Sequence, residues 1–152
     1  MFYFIMILVT VIDQAFKVWV RMNMDVGESI VIWNGILSFT HYQNSGAAGS
    51  SFQGYGRYFV IPAVLVVGYI LYSRRKGNLK GRLVEAGTAF FAGGAVGNAI
   101  DRILFGRVTD FIDFHGGRGI LNIADHAINI GVILMLLDAV IGIVASRRRA
   151  SV

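Results

Sequence analysis

Four long apolar blocks run along this chain, and nearly all of its polar chemistry falls between them or at their ends. A helix crossing a hydrocarbon core needs about 20 mostly apolar residues. On that measure spans are predicted over about 2–20, 57–73, 83–105 and 123–144, all within a single domain of 1–152. The second block is short unless its ends extend, and Pro62 stands near its start, where a missing N–H matters least. The intervening segments 22–56 and 106–121 carry no span and are predicted to be loops on one face of the membrane. Within the first of them, SIVIWNGILSFTHYQN sets two β-branched and aromatic runs around Asn34-Gly35. That dipeptide predicts a two-residue type I′ hairpin. Trp33, Phe39 and Tyr42 suit the headgroup zone, where amphipathic rings collect. The expected fold class is an all-α membrane protein: four transmembrane helices with a small extracytoplasmic β-hairpin or sheet element.

Composition agrees with the pattern. Hydrophobic residues make up 55% of the 152 residues and charged ones 15%, with a mean hydropathy of +0.62. That lies well outside soluble composition. The net charge of +5 is concentrated in Arg74, Arg75, Lys76, Lys80 and Arg82 and in Arg147, Arg148 and Arg149. Both clusters adjoin spans rather than forming a basic domain, so the positive-inside bias accounts for them and no nucleic-acid partner is expected. Four spans put both clusters on one side, which the bias makes cytoplasmic, together with both termini. No cysteine is present, which excludes disulfides, thiolate metal sites and a cysteine nucleophile. A removable signal peptide is not expected, because the first block lacks a basic leader and is interrupted by Asp13 and Lys17.

Those interruptions are part of the chemistry. Asp13 and Lys17 stand four apart, on one helical face, as a self-neutralising or snorkelling pair or as an inward pair ordering a polar site. From Gly93 to Asp125 the chain gathers four aspartates, two asparagines, three arginines and a histidine. Asp101 lies sixteen residues beyond Glu85, roughly 24 Å along a helix, so this cluster is expected at the outer membrane boundary. Gly93 and Gly97 form a face on which another helix packs closely. Asp110 follows the third span and Asp125 opens the fourth, and a reversal in HGGRG brings the two carboxylates together. Close carboxylates share a proton, so that one activates water while the other polarises a carbonyl. Two other readings stay open on the residues alone. Asn122 and Asp125 have the spacing of a helix cap, and a transporter or channel also buries ions. His41, His115 and His126 show no metal-ligand spacing, and no metal or other cofactor is expected.

Taken in order, Asp13-x-x-x-Lys17, Asn44-x-Gly46-Ala47-Ala48, GGAVGNAIDR at 93–102, VTDFIDF at 108–114 and Asn122-Ile123-Ala124-Asp125 closely resemble lipoprotein signal peptidase, the type II signal peptidase of bacteria. The resemblance covers nearly the whole chain. It implies an aspartic endopeptidase of the bacterial cytoplasmic (inner) membrane, multi-pass, with its active site near the outer face. The substrate so implied is a prolipoprotein carrying diacylglyceryl-cysteine, cut just before that cysteine, and membrane lipids are the other partners. The resemblance maps a catalytic dyad onto Asp110 and Asp125. It maps a substrate-binding or site-orienting surround onto Asp13, Lys17, Asn44, Asn98, Arg102 and Asn122, and a structural role onto Asp101. The chain departs from the family pattern at Gly49-Ser50-Ser51-Phe52 and at Leu121, where an aromatic is usual, and Phe52 is expected to supply the first of these from a shifted register.

Overall fold

The structure, a computed structural model, describes residues 1–46, 51–114 and 119–150, the last three as backbone only. In chain order it has helix α1 (Phe2–Asn23), strands β1 (Ser29–Trp33) and β2 (Leu37–Asn44), and a 3₁₀ turn at Gly56–Phe59 leading into α2 (Val60–Arg75). Helix α3 (Arg82–Phe105), strands β3 (Val108–Phe114) and β4 (Ile120–Leu121) and helix α4 (Ile123–Ala150) follow. Four helical stretches, Phe2–Asn23, Gly56–Arg75, Arg82–Phe105 and Ile123–Arg147, are long and apolar enough to cross a membrane. The second meets that length because the 3₁₀ turn continues into α2, with Pro62 in the first turn of α2.

Helix α3 is the axis of the molecule. It is the one span with an extensively buried surface, and the residues it buries are mostly small: Gly87, Ala89, Ala92, Gly93, Gly94, Ala95 and Gly97. Small side chains let backbones approach, which is how helices associate where lipid removes the hydrophobic drive. A methyl group on Gly97 would lie 2.6 Å from Asp13 Oδ2 of α1, and one on Gly94 would run into the Ala124 carbonyl of α4. Two helices are thereby admitted side by side to close range of one short segment. The outward faces of α2 and α4 carry exposed Leu65, Tyr69, Ile133 and Leu136, as a lipid-facing surface should.

The strands form one antiparallel sheet in the order β1-β2-β3-β4. Two expectations are corrected here. The Asn34-Gly35 turn is not type I′: that form needs positive φ at both central residues, whereas only Gly35 has it, at 73°. Ile36 N donates to Trp33 O at 3.0 Å, and a single positive φ at the third residue is the type II arrangement. A register shift between Val31 and Trp33 accommodates this hand of turn. The second correction is that 106–121 is not simply loop, since Val108–Phe114 pairs along β2. VTDFIDF lacks clean alternation because its first four residues are all buried, on both faces of the strand.

Beneath the sheet, Val20, Met24 and Phe111 form an apolar cluster against α1, and Phe16 stacks on Phe111 with centroids 6.0 Å apart. At the other end of the bundle Phe2, Ile70, Ala89 and Ala92 form another. A polar layer lies between these two clusters.

Candidate active site

Asp110 sits in β3 where a bulge between Phe39 and Tyr42 resets the pairing, so that Tyr42 opposes Asp110 and Asn44 opposes Val108. Asn44 and Asp110 thus become diagonal neighbours on one face, and Asn44 Nδ2 donates to Asp110 Oδ2 at 3.0 Å. Asn44 is itself held in an Asx turn by Gly46 N at 3.0 Å and braced by Gln53 Nε2 at 3.1 Å. The other Asp110 oxygen accepts a hydrogen bond from Asn122 Nδ2. Asp113, an odd number of residues along the strand, points with Phe111 to the opposite face.

Asn122 is the N-cap of α4 and Asp125 its third residue, and they form a reciprocal capping box. Asp125 N donates to Asn122 Oδ1 at 2.9 Å, and Asn122 N donates to Asp125 Oδ2 at 3.3 Å. The capping reading is therefore present, and it does not compete with the functional one. Asn122 thus joins the two carboxylates as a residue: its side-chain nitrogen holds that of Asp110 and its backbone N–H that of Asp125, while its side-chain oxygen caps the helix.

From Asp125 the hydrogen bonds continue around a ring. Asn98 Nδ2 donates to Asp125 Oδ1 at 2.8 Å, and Lys17 Nζ donates to Asn98 Oδ1 at 2.8 Å. Lys17 also pairs with Asp13 at 2.8 Å, and Asp13 Oδ1 accepts from Ala124 N at 2.9 Å, beside Asp125. Asp13 and Lys17 are wholly buried, so theirs is an inward pair, not a snorkelling one. Buried charges persist only when paired and hydrogen-bonded, and this ring satisfies both through α1, α3 and α4.

A second set of contacts lies beside the ring. Asp101, also fully buried, accepts from Gln14 Nε2 at 3.2 Å, from Arg21 Nη1 at 3.3 Å and from the backbone N of Thr109 at 2.9 Å. It ties the start of β3, one residue before Asp110, to α1 and α3. Gln14, Arg21 and Thr109 were not singled out from the sequence, although Asp13, Lys17 and Arg21 repeat every four residues along α1 and that spacing was a usable signal. Arg102 makes no hydrogen bond to either Asp110 or Asp125. Its Nη2 donates to Gly46 O at 3.1 Å, its guanidinium lies 5.5 Å from the Phe59 ring, and its Nε finds no partner among the described residues. Ala47, Ala48, Gly49, Ser50 and His115 lie outside the described residues. Phe52 is 71% exposed, and its ring stands 6.4 Å from that of Phe59. Leu121 is half-buried in β4. Among the described residues no group of three His, Cys, Asp or Glu is placed to hold a metal ion.

Asp110 is 2% exposed. Burial, and then the nearby charge of Asp125, push its pKa up to about 7, against the opposing pull of the Asn44 and Asn122 hydrogen bonds and the charge of Lys17. A carboxyl so placed holds its proton up to near neutrality, and the charge of Asp125 is near enough to contribute.

The fold and this site define a multi-span membrane enzyme with a buried carboxylate cluster at one end of its helices. Two solved bacterial membrane enzymes share the architecture. One matches with a TM-score of 0.86 at 30% identity, covering 91% of this chain and 86% of that one. The other has a TM-score of 0.81 at 31% identity and covers 90% of each. The model of the signal peptidase (SPase) II family matches residues 5–141, and the chain belongs to that peptidase family. Among its relatives are the lipoprotein signal peptidase of Listeria monocytogenes serotype 4a (strain HCC23), 40% identical over 139 residues and 90% of each chain, and that of Shouchella clausii (strain KSM-K16), 39% identical over 144 residues and 93% of each.

Proposed function

We propose that this protein is an aspartic endopeptidase that removes the signal peptide of diacylglyceryl-modified prolipoproteins just before the lipidated cysteine, with Asp110 and Asp125 as the catalytic pair. The observation that carries this reading is the Asn122 bridge. One residue holds both carboxylates, that of Asp110 through its side-chain amide and that of Asp125 through its backbone N–H, and the pKa of Asp110 is raised to about 7. The pair shares one proton and titrates as a unit. The ionised carboxylate takes a proton from water as its oxygen attacks the scissile carbonyl carbon, while the protonated one gives its proton to the carbonyl oxygen. The resulting gem-diol collapses as the C–N bond breaks. The carboxylic acid gives its proton to the leaving nitrogen while the other carboxylate takes one from a gem-diol hydroxyl, so the dyad returns to its singly protonated form. No cofactor enters any step.

The remaining site residues act through these two. Asn44 and Asn122 orient Asp110, Asn98 orients Asp125, and the Asp13–Lys17 pair fixes Asn98 and the start of α4. Arg102 ties Gly46, and so the segment after β2, to the wall of the site. The basic ends of α2 and α4 lie in the cytoplasm with both termini, and the sheet and dyad lie at the outer face of the cytoplasmic membrane. There the lipid chains of the substrate remain in the bilayer while water reaches its peptide bond.

The direct test supplies diacylglyceryl-modified prolipoprotein to the detergent-purified protein and to its Asp110→Asn and Asp125→Asn variants. Removing either carboxylate is expected to slow cleavage by at least about 10² to 10⁴, with helical content unchanged. Cleavage at the parent rate by either folded variant refutes the dyad.

A further inference from the structure

At the end of the bundle remote from the carboxylates, a cavity of about 720 Å³ opens between the start of α1, the end of α2 and the segment that follows. Its lining is Tyr3, Leu71, Tyr72, Arg74, Arg75 and Leu79. This is not a plain surface cluster of positive charge. Arg74 is fixed in place by Glu85 at 2.8 Å and by the rings of Phe2 and Tyr3, whose centroids lie 4.7 and 5.3 Å from its guanidinium carbon. Arg75 lines the same cavity with no hydrogen bond or ion pair among the described residues, so one of the two arginine charges is unmatched. Lys76 lies over the ring of Tyr72, a lining residue, at 5.8 Å and brings a further positive charge nearby.

Leu71 also belongs to a second, apolar cavity of about 260 Å³ that runs up the groove between α2 and α3, floored by Ala63, Val67, Gly68, Ala95 and Ala99. The groove exists because small residues face one another there, and it leads from the charged cavity into the apolar depth of the bundle. The combination is amphipathic in one direction. Two guanidinium groups and two tyrosines lie at the membrane boundary, and a narrow apolar channel starts from the same leucine.

We propose that this is a binding site for an anionic phospholipid, its phosphate against Arg74 and Arg75 and one acyl chain in the groove between α2 and α3. Basic pockets between spans recognise anionic headgroups in this way, and guanidinium groups match phosphate with paired hydrogen bonds. The site lies apart from the dyad and does not depend on the proposed activity. Bound there, the lipid fills the space between α2 and α3 and fixes how α2 sits against the rest of the bundle.

The test is retention by the delipidated full-length protein in detergent, counted by native mass spectrometry. Phosphatidylglycerol and phosphatidylcholine of identical chains are offered at equal mole fraction. Phosphatidylglycerol is expected to be held about fivefold better or more. Arg75→Gln, a change at an exposed side chain outside the packed interior, should erase that preference and leave phosphatidylcholine retention unchanged. Arg147→Gln, in the basic cluster at the end of α4, should leave both unchanged. Equal retention of the two lipids overturns the proposal, as does an equal loss in both variants, which marks a diffuse charge effect. Displacement of the lipid by millimolar glycerol phosphate or inorganic phosphate also overturns it, because a free anion then suffices and the groove contributes nothing.

Discussion

Charged residues serve opposite ends of this molecule on opposite terms. Near the sheet, Asp13, Lys17, Asp101 and Asp110 are desolvated, and every one has named partners at hydrogen-bond distance. At the basic end Arg75 is exposed and Arg74 is only half-buried. In the first region removal of one group strands another in a medium that cannot solvate it. In the second, water replaces whatever is lost. Residue type is therefore a poor guide to consequence in a membrane protein, and completeness of partnering is a better one.

The sharpest way to break that contrast is Lys17→Met. It leaves Asp13 buried without its cation, at an expected cost of about 3–5 kcal/mol, read as thermal stability in detergent, whereas Arg75→Gln should stay within about 0.5 kcal/mol of the parent. Equal effects would erase the distinction between the two ends.

A smaller effect comes from pH. The pKa of Asp110 is about 7 in the folded state, raised by burial and by the charge of Asp125 from an ordinary value of 3.8. Between these the folded form binds the extra proton, so stability falls as pH rises through the window. From pH 5 to pH 8 the loss from this group is about 2–3 kcal/mol. Asp110→Asn should flatten the melting temperature across that range. A parent protein that grows more stable from pH 5 to pH 8, with Asp110→Asn following the same slope, would contradict the assignment. Smaller again is Gly97→Ala, whose methyl meets the Asp13 carboxylate and is expected to cost about 1–3 kcal/mol. Gly68→Ala, with nothing within 4 Å of the added methyl, should be close to neutral. If the two alanines melt alike, the close approach of α1 to α3 carries little energy.

Much of this organisation was legible beforehand, and the exceptions have physical reasons. The four spans follow from apolar length, and the polar stretch stood out because charge beside lipid is costly. The six orienting residues and two aspartates drawn from the family resemblance do converge in space, except that Arg102 reaches Gly46 instead of the carboxylates. What escaped was non-local. Strand β3 looks irregular because it is buried on both faces, and the contacts of Asp101 with Gln14 and Arg21 join residues eighty or more positions apart. The Asn34-Gly35 turn has a hand set by a neighbouring register shift that no dipeptide preference records.

The ring through Lys17, Asn98, Asp125 and Asp13 has a consequence for timing. Its members are supplied by the first, third and fourth helices, and the fourth is the last to leave the ribosome. Until α4 is in place, Asp110 lacks its contact with Asn122, and Lys17 stands beside Asp13 without the link through Asn98 to Asp125. A site built in this way is incomplete until α4 has docked, so its hydrogen-bonded ring closes only at the end of insertion.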